Sequence, residues 1–366
     1  MFTSLIFGLH CDAINQRWYK SLKKLSQSRL PFISNEPLRI SVNRNHAQES
    51  FHEVDIAVCD ASGEVKFGMG DYERDIFPRS AMKPLQAIAL LEANKRIGNF
   101  PQLSEEEIAL ICASHNGEQS HTNLVISLLK KFDLNINSLI CGAHWSLEQE
   151  TFIEQIKTIE KPNETHNNCS GKHAGMLILA KLLRSPTEKY ADIKSEVQIK
   201  ILEKLQTMTG SNLLNNVVGI DGCGAPAYRA PLINWARAYA LFAGGGSLPD
   251  ITRESCLRIR NSIANNSYFI AGRNRACTDI NRAYGGKITV KVGAEGVYSA
   301  AFHELKFGMT LKTRDGDKRG AEVALCAVLH ALGYQIPKTV RPYANREIYN
   351  WSGKKVGNIT LDNLNF

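Results

Sequence analysis

Ser80 and Lys83 stand three residues apart within Phe77-Pro78-Arg79-Ser80-Ala81-Met82-Lys83-Pro84-Leu85-Gln86. At a helix start this spacing puts a hydroxyl and an amine on one face, where the amine can take the hydroxyl's proton. Arg79 adds a second cation, and a neighbouring positive charge disfavours the protonated form of a lysine. Backbone N–H groups at the helix start would face developing negative charge. The chemistry implied is attack by an activated serine, which points to a hydrolase rather than a binding module. A plain helix start with a surface lysine is the other meaning of the same spacing.

Four further segments are dense in reactive and small residues. They are Cys112-Ala113-Ser114-His115-Asn116-Gly117-Glu118, Asn167-Asn168-Cys169-Ser170-Gly171-Lys172-His173, Gly219-Ile220-Asp221-Gly222-Cys223-Gly224-Ala225-Pro226 and Lys291-Val292-Gly293-Ala294-Glu295-Gly296. Cys169, Lys172 and His173 fall within one turn, and Cys223 sits on a glycine-rich loop. Three readings stand side by side: two small buried cysteines with a satisfied histidine, a metal site of thiolates and nitrogen, or a cysteine nucleophile activated by its cationic neighbours. The spacing matches no zinc-finger pattern. Asp221 either caps its turn or holds a substrate ammonium. Cys277 and Arg275 precede a helical segment and are placed to line a cleft. His144 reads as a structural hydrogen-bonding residue.

The elements that must position these groups follow from periodicity. Val54–Cys59, a turn at 60–63 and Glu64–Phe67 read as strand, turn, strand. Helices are expected from Lys83, with Pro84 tolerated in its first turn, after Ser104 with Glu107 completing a capping box, and over 121–132, 172–183, 193–208 and 231–243. Gly244-Gly245-Gly246 stops the last of these. A β-branched run at 217–220 reads as a strand. Strands over 287–292, 296–302 and 307–313 and a helix over 321–332 close the chain. Strands at both ends with helices between them give an α+β fold. In it the N- and C-terminal segments share one antiparallel sheet, and the region of about 83–265 is mostly helical. Residues 1–37 read as an N-terminal extension and 38–366 as the catalytic domain.

Composition narrows the class. The chain has 366 residues and a formal net charge of +8, but 44 basic residues are interspersed with 36 acidic ones. No helix-turn-helix, zinc finger or aromatic platform accompanies the basic residues, so a nucleic-acid partner is not expected. Nine dispersed cysteines do not form a disulfide framework and fit a reducing, cytoplasmic setting. The apolar start lacks a basic leader. No run reaches the roughly 20 apolar residues needed to span a bilayer, so no membrane partner is expected.

Taken in order, Phe77–Gln86, Ser114–Glu118, Asn168–His173, Asp221–Pro226 and Lys291–Val297 resemble the L-asparaginase II family of the Rhizobium type. The resemblance runs from about Glu49 to Leu332. It implies a fold similar to serine β-lactamases and penicillin-binding proteins, a homodimer, and hydrolysis of L-asparagine to L-aspartate and ammonia. It further implies two Ser–Lys pairs, Ser80 with Lys83 and Ser114 with Lys291, and a zinc ion held by Cys169, Lys172 and Cys223. Arg79, His173, Asp221 and Cys277 would lie nearby. By charge complementarity Asp221 would take the substrate's ammonium and Arg79 its carboxylate. A hydrolase that attacks through zinc-bound water, and a non-catalytic ligand-binding protein on the same fold, are the alternatives.

Overall fold

The computed structural model describes residues 30–98 and 100–362. Of the expected extension, residues 1–29 lie outside the described residues. Within the rest of it, Phe32–Ser34 forms the first strand of the main sheet.

That sheet has nine strands: β1 (Phe32–Ser34), β2 (Leu38–Arg44), β3 (Ala47–Cys59), β4 (Val65–Met69), then, after four two-residue strands, β9 (Ile288–Gly293), β10 (Val297–Phe302), β11 (Phe307–Thr313), β12 (Arg346–Tyr349) and β13 (Lys355–Leu361). The two-residue strands are β5 (Asp75–Ile76), β6 (Gly219–Ile220), β7 (Pro226–Ala227) and β8 (Ala230–Pro231). The main order is β12-β13-β2-β3-β11-β10-β9, with β4 on β3 and β1 on β4. All pairings are antiparallel except β1 with β4. The central join is β3 against β11, with Ile56 opposite Leu311, so the two ends of the chain share one sheet. This is the α+β architecture expected from the order of strands and helices.

Ten helices of seven or more residues accompany the sheet among the described residues. They are α1 (Lys83–Ile97), α2 (Glu105–Ile111), α3 (Gln119–Lys131), α4 (Gln149–Thr158), α5 (Ser170–Leu183), α6 (Glu196–Thr209), α7 (Leu232–Phe242), α8 (Asp250–Asn265), α9 (Ala276–Tyr284) and α10 (Lys318–Ala331). Ser104 and Glu107 cap α2 reciprocally, as their spacing predicts. Every residue of β10 is buried, which requires cover on both of its faces. Helices α7 and α10 pack against the sheet. Helix α5 is buried almost throughout, as its apolar run foretold. It packs against α1, α2 and α6. The strand expected over 217–220 shrinks to Gly219–Ile220, because Val217 and Ile220 are exposed and have no sheet face to join.

Candidate active site

Ser80 lies on a short 3-10 turn, Arg79–Met82, and Lys83 opens α1 directly behind it. Arg79 has φ 52°, a left-handed conformation that a non-glycine residue adopts only under local constraint. Two contacts supply that constraint. The Arg79 guanidinium donates from Nε (3.1 Å) and from a terminal nitrogen (2.8 Å) to Asp221 Oδ1. The carbonyl of Pro78 abuts Gly293 at the end of β9, where an added Cβ would stand 2.2 Å from that oxygen. Glycine at 293 therefore lets the Ser80 turn approach the strand that carries Lys291.

Ser114 sits on the segment between α2 and α3, which is stitched to its neighbours on both sides. Ser114 N donates to Ile270 O (3.0 Å), Asn116 N to Ala271 O (2.9 Å), and His115 N to Asn168 O (3.2 Å). The last bond ties the Ser114 segment to the Cys169 turn. Gly171 brings α5 equally close to α2, since a Cβ there would meet Leu110 O at 2.2 Å. Glu118 anchors the far end, accepting from Asn116 Nδ2, Tyr268 OH and both the backbone and Nε of Arg273. These contacts of Glu118 and Arg273 were not legible from spacing. Arg275, a cleft candidate, donates to Asn116 Oδ1 at 2.6 Å.

The two lysines converge on one hydroxyl. Lys83 Nζ reaches Ser114 Oγ at 3.0 Å and donates to Ala113 O at 2.5 Å. Lys291 Nζ reaches the same Ser114 Oγ at 2.8 Å and Val292 O at 3.0 Å. Lys83 and Lys291 are both buried, as is Ser114, whereas Ser80 is half-buried. The Lys83 amine thus pairs with the serine of the second segment, although Ser80 is its neighbour in sequence. Burial, reinforced by the positive charge of Lys83, pushes Lys291 down to about 7. An amine in that range is a general base at neutral pH.

Lys291 is held in place from the edge of the sheet. Its strand, β9, is the last in the main order, and α9 closes its open side. Asn281 exchanges hydrogen bonds with the backbone of Val290, and Val292 N donates to Cys277 Sγ at 3.2 Å. Cys277 therefore supports the backbone next to Lys291.

The second cluster joins Cys169 at the start of α5, Lys172 one turn in, and Cys223 on the β6–β7 hairpin turn. Lys172 Nζ donates to Cys223 Sγ at 2.9 Å. A hydrogen bond from the Cys223 thiol, with the charges of Lys83 and Lys172, holds Cys169 well below the usual thiol range despite its burial. The same bond, with burial, pushes Cys223 up. Burial opposes the charge on Lys172, but Cys169, Cys223 and Asp221 outweigh it and raise its affinity for a proton. Burial likewise opposes the Asp221 anion, and Lys172 and Arg79 outweigh it. His173 is buried and kept neutral first by desolvation and then by the nearby lysines. Its Nδ1 lies 2.7 Å from the Tyr190 hydroxyl, while its Nε2 is buried with no hydrogen-bond partner. His144 bridges Trp145 O and Asn168 N, the structural role expected of it.

A serine held by two buried lysines, beside paired thiols, is thus carried by an α+β scaffold whose sheet joins both chain ends. The chain belongs to the L-asparaginase II family, whose model matches residues 40–361. Among solved structures it is similar to a β-lactamase from Mycobacterium bovis (13% identity, TM-score 0.39, covering 76% of this chain and 94% of that one). It is also similar to a β-lactamase/D-alanine carboxypeptidase from Pseudomonas syringae (10%, 0.37, 89% and 100%) and to a Bacillus subtilis glutaminase (12%, 0.36, 78% and 88%). These likenesses are distant, and the family assignment stands on the sequence match. No curated protein matches the chain. Among the described residues no helix is long and apolar enough to cross a membrane.

Proposed function

We propose that this member of an amidohydrolase family converts L-asparagine and water to L-aspartate and ammonia through a lysine-activated serine. The observation that carries the reading is the convergence of Lys83 and Lys291 on Ser114 Oγ, with Lys291 pushed down to about 7. The Ser114 hydroxyl gives its proton to the neutral Lys291 amine, and the oxygen attacks the side-chain carboxamide carbon. The C–N bond breaks as the Lys291 ammonium returns that proton to the departing nitrogen, releasing ammonia and leaving an acyl-enzyme. Water then attacks the ester, Lys291 takes its proton, and Ser114 recovers it as aspartate leaves. Lys83 holds the reacting oxygen from the other side, and Ser80, on the turn that leads into Lys83, is the second hydroxyl of the reading.

Arg79 and Asp221 neutralise one another, so their task in the reading is to fix the Ser80 turn. They are not free partners for the substrate's two charges. Cys169, Lys172 and Cys223 fit a zinc ion chemically once the ion displaces the proton that Lys172 holds: two thiols and a lysine converge, and one thiol already favours its thiolate. These three residues would hold the ion, and its charge would help to orient a polar substrate beside the serine. Among the described residues no three of His, Cys, Asp and Glu cluster to hold a metal, so Lys172 is needed to complete the set. Metal analysis of the purified protein tests this part. A homodimer in the cytoplasm completes the reading, and sedimentation velocity tests the dimer.

The experiment for the whole reading is an asparagine-based diazoketone combined with peptide mapping. An adduct on Ser114 together with ammonia release from L-asparagine supports it. An adduct on Ser80 alone would recast Ser114 as a proton relay. Loss of all activity on chelation, with no serine adduct, would favour attack by metal-bound water.

A further inference from the structure

Beside Lys83 lies a cavity of about 10 Å³, lined by Lys83, Gln86 and Ala87 of α1, by Ile111, and by Lys172 and Met176 of α5 among others. Its size suits about one water molecule. Gln86 is buried, yet neither Oε1 nor Nε2 has a hydrogen-bond partner. A fully buried amide left unpaired in this way is costly and rare in a native protein. Lys83 shows a matching gap. An ammonium has three donors, and the structure gives Nζ two acceptors, Ala113 O and Ser114 Oγ. An orphaned acceptor, an incompletely satisfied cation and a one-water cavity thus border the same space.

We propose that this cavity is a built site for a single ordered water that accepts from Lys83 Nζ and donates to Gln86 Oε1, making Gln86 a positioning residue for the catalytic centre. Gln86 touches neither substrate nor the reacting atoms. It acts through the water on Lys83, and Lys83 acts on Ser114 and Lys291. The titratable and charged groups around Lys83 and Lys291 are Cys112 and His115 flanking Ser114, Cys169, Lys172 and His173 on α5, Asp221 on the hairpin, and Arg275 and Cys277 at the start of α9. Lys291 is the group whose proton affinity sets the acid limb of activity. The positive charge of Lys83 lowers it. By fixing the Lys83 amine in place, the Gln86 water holds it where it acts on Lys291.

The inference rests on the serine–lysine reading for its effect on rate, but not for the water itself. A crystal structure of the wild-type protein is expected to show one solvent peak within hydrogen-bond distance of Lys83 Nζ and the Gln86 amide, and its absence overturns the proposal whatever the substrate is. Gln86→Met keeps the volume and removes the acceptor. Its acid limb for asparagine hydrolysis is expected to move up by about one pH unit, a roughly tenfold lower rate on the acid side. Gln86→Asn keeps an amide and leaves room for a further water, so its limb is expected to stay near the wild-type position. An unmoved limb in Gln86→Met, or equal shifts in both variants, overturns the role of the amide. If Gln86→Met does not fold, the solvent peak and the Gln86→Asn profile decide the matter. If the wild type releases no ammonia from asparagine, the serine–lysine reading fails while the crystallographic test stands.

Discussion

The hydroxyl of Ser114 is bracketed by two buried amines, and in the proposed reaction Lys291 is the one that acts as base. Burial, with the charge of Lys83, pushes Lys291 down to about 7. Replacing it with methionine keeps bulk and removes the base. The rate of ammonia release is expected to fall roughly 10²–10⁴-fold, the usual contribution of a positioned base, with little change in KM. Asp221→Asn is expected to lower stability by about 1–3 kcal/mol in urea titrations. It leaves Arg79 and Lys172 short of an anion, but the Arg79 side chain keeps 29% solvent exposure, which limits the loss. At this scale the sequence showed which residue types matter, since both serines, both lysines and both cysteines were visible in their motifs. It did not show which amine meets which hydroxyl. Sequence neighbours suggested Ser80 with Lys83, whereas the long Lys83 side chain passes to a segment that only the tertiary fold brings near.

Elements deliver these side chains through close backbone approaches. Gly293 admits Pro78 O to the end of β9, and Gly171 admits Leu110 O to the start of α5. Gly293→Ala must part the Ser80 turn from the strand carrying Lys291. It is expected to cost about 1–3 kcal/mol of stability, as overpacking does, and to lower kcat more than thermal stability would suggest. A differential scanning experiment beside a kinetic one checks both. Most element positions were legible because burial enforces periodicity: the apolar run of α5 and the capping box of α2 each announced an element. The 217–220 segment misled because β-branched residues there are exposed, and propensity without a buried face makes only a two-residue strand. The closure of β9 by Asn281 and Cys277 left no periodic trace, being a contact between a helix and a sheet edge.

Across the whole molecule, joining β3 to β11 fixes the sheet, and Lys291 on β9 is buried within it. That placement carries a cost in stability. The Lys291 value falls from 10.5 to about 7 on folding, so between those two values the unfolded chain binds a proton that the native chain does not. The contribution of this group to stability therefore rises with pH across that window, and the penalty is complete below about 7. Lys291→Met is expected to raise the melting temperature at pH 6 and to lose that advantage towards pH 10.5. Thermal denaturation of both proteins across this range would show it. A pH-independent difference would mean that Lys291 is not buried as an amine. The joining of distant strands was legible because strands cluster at both chain ends around a helical middle. The cavity behind Lys83 was not, because a gap between α1 and α5 is a property of packing and has no motif.

The central claim is that Lys291 is the base that activates Ser114. The pH dependence of kcat/KM for asparagine hydrolysis tests it most directly, measured for the wild type and for Lys291→Met. The wild-type value is expected to climb through an acid limb centred at about 7, with that limb absent from the much slower variant. A wild-type profile flat from pH 5 to 9, taken as a range spanning roughly two units either side of that midpoint, or a variant of near-wild-type rate, would contradict it.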